Sequence, residues 1–70
     1  MAEVMMHRSS FIEATSYDRA SGDLEITFAD GKTFRYEGFP PATYTAFITS
    51  PSKGRFFHMR IKDAFAAEEV

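Results

Sequence analysis

Apolar and polar side chains alternate through Leu24-Glu25-Ile26-Thr27-Phe28, a period of two that puts one strand face on a core and the other in water. The same period returns at Phe34 and Tyr36, interleaved with Thr33, Arg35 and Glu37. Between the two runs stands Asp30-Gly31, a pair suited to a tight turn because glycine enters positive φ at no steric cost. The spacing therefore predicts a β-hairpin. Residues 11–17 read as a strand ahead of it, followed by the turn formers Asp18-Arg19-Ala20-Ser21-Gly22-Asp23.

After Gly38-Phe39-Pro40-Pro41 the period changes. Pro41 suits a first helical turn, where its missing N–H is not needed. Tyr44, Phe47 and Ile48 fall at i, i+3 and i+4, one face of a helix over 41–49 that stops before Pro51. A second helix is expected over 51–64, capped by Ser50 or Ser52. Its apolar face is Phe57, Ile61, Ala64 and Phe65, and Gly54 permits close approach one turn earlier. The order is β-β-β-α-α. The expected fold is α+β: a three-stranded antiparallel meander packed against two C-terminal helices, a single domain over 9–65 with flexible tails at 1–8 and 66–70.

Composition sharpens this picture. Seventy residues make room for one domain, and a chain this short buries only about 60% of the surface its unfolded form exposes. Eight Phe and three Tyr, with no Trp, supply a large buried area per side chain. The absence of Cys excludes a disulfide framework and a thiolate zinc site. It is compatible with a reducing, cytoplasmic setting. Residues 1–8 lack the continuous apolar run of a signal peptide, and no stretch approaches the roughly 20 apolar residues of a membrane span. A soluble cytoplasmic protein is expected.

The net charge of −2 argues against generic attraction to nucleic acid, but the charges are segregated. Residues 1–50 hold four basic and seven acidic side chains, whereas 51–62 hold Lys53, Arg55, Arg60 and Lys62 and no acid.

Most catalytic chemistries find no footing. His7 and His58 stand alone, without the spacing of a metal site. No serine among Ser9, Ser10, Ser50 and Ser52 sits in a nucleophile-elbow pattern. Glu13, Asp23, Glu25 and Glu37 are strand or turn carboxylates expected to face water, not a pair held in a pocket. No enzyme activity, cofactor or metal is therefore expected.

The segment with readable chemistry is Ser52-Lys53-Gly54-Arg55. At a helix start its free N–H groups, hydroxyl and cations could face one phosphate; alternatively Ser52 only caps and Gly54 only lets the helix approach the sheet. On the same helix Lys53, Phe56 and Arg60 share a stripe, with Arg55 and Lys62 seven apart on the outer side. Cations flanking an exposed ring suit a phosphate backbone and an unstacked base. The competing reading makes Phe56 core, covered by the basic stems. Phe34 and Tyr36 are expected to line the core with Leu24, Ile26 and Phe28, the alternative being an outward stacking platform.

The runs Ser9-Ser10-Phe11-Ile12, Tyr17-Asp18, Leu24-Glu25-Ile26 and Phe34-Arg35-Tyr36-Glu37-Gly38, then Pro40 and Tyr44, and finally Ser52-Lys53-Gly54-Arg55-Phe56-Phe57 with Ile61, resemble the KTSC domain. That family is named for the C-terminus of some lysyl-tRNA synthetases and also occurs as stand-alone bacterial and phage-associated proteins. The resemblance covers nearly all of 9–65. Its specific marks are a central Tyr-x-Tyr and a later Ser-x-Gly-x-aromatic-aromatic. The first reads Phe34-Arg35-Tyr36 here, keeping the ring and losing a hydroxyl; the second is intact. The resemblance implies no catalytic residue, since it is to the synthetase's appendage and not its catalytic core. It suggests RNA as a partner. The expected function is thus a non-catalytic module binding tRNA or other structured RNA through Lys53, Arg55, Phe56, Arg60 and Lys62, with Ser52 and Gly54 as an anion site. The alternative is a protein-interaction or phage-assembly module.

Overall fold

The computed structural model describes residues 2–70; Met1, the first residue of the expected N-terminal tail, lies outside the described residues. The strands are β1 Glu3–Met6, β2 Ile12–Asp18, β3 Asp23–Phe28, β4 Thr33–Tyr36 and β5 Glu68–Glu69. The helices are α1 Pro41–Thr49 and α2 Lys53–Phe56, the latter continuing as a π-helical turn, Phe57–Ile61. All strands pair antiparallel with their chain neighbours in one sheet, in the order β1-β2-β3-β4-β5.

The α+β layering is as expected, and the expected meander is β2-β3-β4. The count of three strands is corrected to five, because both segments expected as tails carry edge strands. Hydrophobic periodicity marks a strand only where one face is buried. β1 buries none: Val4 and Met6 are 70% and 72% exposed. It is held instead by backbone pairing, with Glu3 opposite Tyr17 and Met6 opposite Ala14. β5 is two exposed glutamates laid against Phe34 and Arg35 of β4.

Register assembles the core face. Tyr17, Leu24 and Tyr36 stand in one cross-strand row, and Thr15, Ile26 and Phe34 in the next. Between Ile12 and Ala14 the pairing slips by one residue, a bulge that brings Ile12 to the same buried face as Thr15 and Tyr17. Tyr44 and Phe47 of α1, Phe57 and Ile61 of the π turn, and Phe39 before α1 cover this face. The Tyr17 ring stacks on Tyr44 at 4.3 Å, and its hydroxyl donates to the Phe39 carbonyl. The opposite face is polar, with Arg35 Nε 3.5 Å from Glu25 Oε2 and Arg35 reaching Glu68 at 3.9 Å. Such exposed pairs contribute little stability.

Two glycines are required by the backbone. Gly31 closes the β3–β4 turn at φ 91°, as Asp30-Gly31 predicts. Gly22, at φ 80°, ends the β2–β3 turn where a Cβ would stand 3.3 Å from the Cα of Gly38.

The second helix is shorter and less regular than the span 51–64. Ser52, not Ser50, is its cap, accepting from the Arg55 N–H at 3.3 Å. The Lys62 N–H donates to the Phe57 carbonyl, five residues back, at 2.8 Å, which widens the turn. The N–H groups of Ala64 and Phe65 both return to the Ile61 carbonyl and end it. The chain leaves there because Phe65 packs over Phe39, ring centroids 4.6 Å apart, and β5 then runs back along β4. Ala64, expected on the apolar face, is exposed as a result.

Candidate nucleic-acid interface

Phe57 and Ile61 hold the second helix against the sheet, so its other side chains are dealt to separate flanks. Arg55, Phe56 and Arg60 come together. With Ser50, Pro51, Ser52 and Met59 they surround a concavity of 290 Å³, so Ser52 borders both this concavity and the next. Phe56 is half-buried, its ring 5.4 Å from that of Phe47, and the Arg60 guanidinium lies 5.3 Å from the Phe56 centroid. Both readings of Phe56 thus hold in part: one face packs on the core and the other carries a cation. Arg55 Nε donates to Met59 Sδ at 3.5 Å, which lays its guanidinium along the outer side of the helix.

Ser52, Lys53 and Gly54 belong to a second, more polar depression of 220 Å³, shared with Arg8, Ser9 and Ser10. Ser52 and Lys53 have structural tasks there. The Ser52 hydroxyl caps the helix. Lys53 Nζ donates to the Ser50 carbonyl at 2.7 Å, closing the end of α1. A Cβ on Gly54 would lie 3.4 Å from the Cβ of Phe11, an ordinary contact distance, so the helix passes close to this loop without requiring glycine.

Lys62 stands apart from the other cations. It lines a groove of 670 Å³ on the opposite flank, between the second helix and the β3–β4 turn. Phe11, Phe28, Phe34, Tyr36 and Phe57 form its walls, and Lys32, Asp30 and His58 its rim. Tyr36 is buried and Phe34 partly so, as expected of core residues, yet both also face this opening. Burial pushes the Tyr36 phenol's pKa up. The expected stripe of Lys53, Phe56 and Arg60 is thus split, Lys53 lining the second depression, and Arg55 and Lys62, expected together on the outer side, line different cavities; the groove itself was not apparent from periodicity. The available signal was Phe28 and Phe34 flanking the Asp30-Gly31 turn, which places them at the sheet end, beyond full cover by a short helix.

The histidines are apart. His58 stacks on Phe11 with centroids 5.3 Å apart, and His7 Nε2 lies 2.8 Å from Thr15 Oγ1. Among the described residues no group of three or more His, Cys, Asp or Glu side chains could hold a metal ion. No helix among them is long and apolar enough to cross a membrane.

A five-stranded antiparallel meander with one face closed by a short α-helix and a π-interrupted helix defines a small α+β domain. The chain belongs to the KTSC domain family, whose profile matches residues 8–65. A KTSC domain protein of Yersinia pestis, known from a crystal structure, superposes with a TM-score of 0.94 at 33% identity, covering 100% of this chain and 99% of that one. An uncharacterised protein of Stutzerimonas stutzeri is 34% identical over 79% of this chain and 78% of its own length. A lysine–tRNA ligase of Nostoc is 33% identical over 87% of this chain, which spans only 11% of that enzyme.

Proposed function

We propose that this domain is a non-catalytic module of the cytoplasm that binds structured RNA, tRNA included, through the second helix. The observation that carries the reading is the Arg60 guanidinium over the half-buried Phe56 ring, with Arg55 beside the same concavity. With Phe47 behind it, the Phe56 ring carries the Arg60 guanidinium, whose plane offers a base a stacking surface and whose charge, with that of Arg55, counters its phosphates. Kinship to a segment of a lysine–tRNA ligase supports RNA as the partner. Segregated positive charge in a net-negative chain makes any such binding local.

Replacing Lys53, Arg55 and Arg60 together by Gln keeps much of the aliphatic stems and removes three charges. Fluorescence anisotropy with unfractionated tRNA at several salt concentrations should show weaker binding and a salt slope shallower by about two to three units. Absence of parent binding at low salt, or an unchanged slope in the variant, refutes the reading.

A protein-interaction module is the second reading, favoured by the unpaired outer edge of β1 and its exposed Val4 and Met6. An added strand would use that edge. Binding that hardly responds to salt and is lost on charging Val4 and Met6 would select it.

A further inference from the structure

The groove beside the second helix contains a hydroxyl that the fold does not use. Tyr36 is 3% exposed, yet its hydroxyl has no hydrogen-bond partner among the described residues. The other two tyrosines are engaged: Tyr17 donates to the Phe39 carbonyl, and the Tyr44 hydroxyl lies 3.4 Å from Thr15 Oγ1. Among the described residues no fully buried side-chain oxygen or nitrogen lacks a partner, so the Tyr36 hydroxyl is not sealed in the core. Tyr36 lines the groove, which is the cavity its side chain borders. A hydroxyl left without an internal partner but open to solvent bonds water, and can exchange that water for the polar edge of a ligand.

The surroundings define what that would be. Phe28 meets Phe11, Phe34 and Phe57 edge-to-face at 61°, 73° and 74°, so the walls are rigid and apolar. The rim is cationic on balance. Lys32 and Lys62 stand against Asp30, whose Oδ1 already accepts from the Lys32 N–H at 2.9 Å. A volume of 670 Å³ is within the range of small-ligand clefts. The occupant these features select is flat and apolar on its faces, has a hydrogen-bonding edge, and carries negative charge outside the cavity.

We propose that the groove admits one unpaired nucleotide of an RNA strand, its base between the phenylalanine walls, its polar edge on the Tyr36 hydroxyl and its phosphate near Lys32 and Lys62. The inference rests on the RNA reading above and adds a base-recognising contact on the flank opposite Arg55, Phe56 and Arg60. Stacking on rings with hydrogen bonds to the base edge is how proteins read single-stranded RNA.

Backbone amide NMR of the full chain titrated with eight-residue oligouridylate and oligoadenylate tests it, with uridine and adenosine monophosphates and benzoate in parallel. Saturable shifts are expected at residues 28–36 and 57–62. Tyr36→Phe removes only a hydroxyl without an internal partner, so it should keep the parent's thermal midpoint and weaken oligonucleotide binding about two- to tenfold. Lys32→Gln with Lys62→Gln should flatten the salt slope by about one unit or more. Oligonucleotide shifts confined to the Arg55 and Arg60 flank, or parental affinity in Tyr36→Phe, overturn the groove assignment and leave the RNA reading standing. Failure of both oligonucleotides to shift any amide overturns both, and benzoate shifting the groove as strongly as the monophosphates overturns base recognition.

Discussion

Replacing Phe57 by alanine tests the packing on which the candidate interface depends. Phe57 is 7% exposed and is the ring through which the second helix meets the sheet. Its centroid lies 5.7 Å from Phe11, 5.1 Å from Phe28 and 6.2 Å from Tyr36, all tilted or edge-on. Truncation loses the buried ring and leaves a cavity between rigid neighbours, a cost of about 3–5 kcal/mol. At about 0.05–0.15 kcal/mol per residue, a domain of this size has only about 4–10 kcal/mol to lose. Phe57→Ala should therefore lose about a third or more of the domain's stability, with a sharply lowered midpoint. Phe57→Leu, which refills much of the volume, should cost about 1–2 kcal/mol and stay measurable. Phe56 is half-buried and touches mainly Phe47 and the Arg60 guanidinium. Phe56→Ala should then cost about 1–2 kcal/mol. The gap between the two alanine variants, about 2.5 kcal/mol at mid-range, corresponds to about 10–20 °C in midpoint for a chain this short. Urea and thermal unfolding followed by far-ultraviolet circular dichroism would measure it. Equal costs would mean that Phe56 is core in the same sense as Phe57, and the stacking surface in the proposed function would disappear.

Two further outcomes concern stability. His7 has its pKa lowered, first by burial and then by the positive charge of Lys53, and its Nε2 faces Thr15 Oγ1 at 2.8 Å. The folded state thus binds the proton less readily than the unfolded chain, whose reference value is 6.5. Stability should be level above that pH and fall as pH drops from it toward the lowered folded value. Urea midpoints between pH 7.5 and 4.5 should decline in the parent and stay flatter in His7→Asn; identical profiles would refute the assignment. At Gly54 an added Cβ meets Phe11 at ordinary contact distance, 3.4 Å. Gly54→Ala should be neutral or stabilising by up to about 1 kcal/mol through helix propensity, and a loss above 1 kcal/mol would show that the crossing tolerates no Cβ.

The chain's own pattern determined the middle of this fold. Leu24, Ile26, Phe34 and Tyr36 alternate because one side of β3 and β4 is dry, Asp30-Gly31 supplies the positive φ that joins them, and Pro41, Tyr44 and Phe47 mark α1. All these signals are local, or repeat with the period of a buried face. Only the tertiary structure decided the rest. β1 and β5 bury no face of their own and exist as strands because β2 and β4 offer free backbone edges. The second helix ends at Ile61 because Phe65 finds Phe39, a contact between residues 26 apart in the chain. The candidate site divides the same way. The charges of Lys53, Arg55, Arg60 and Lys62 were legible, but their distribution over three flanks depends on the π turn and on which rings the sheet accepts. Of the groove at Tyr36 the sequence carried only the placing of Phe28 and Phe34 beside the Asp30-Gly31 turn, since a core aromatic and a cavity-lining one follow the same period of two, and only packing distinguishes a ring covered on every side from one that borders an opening.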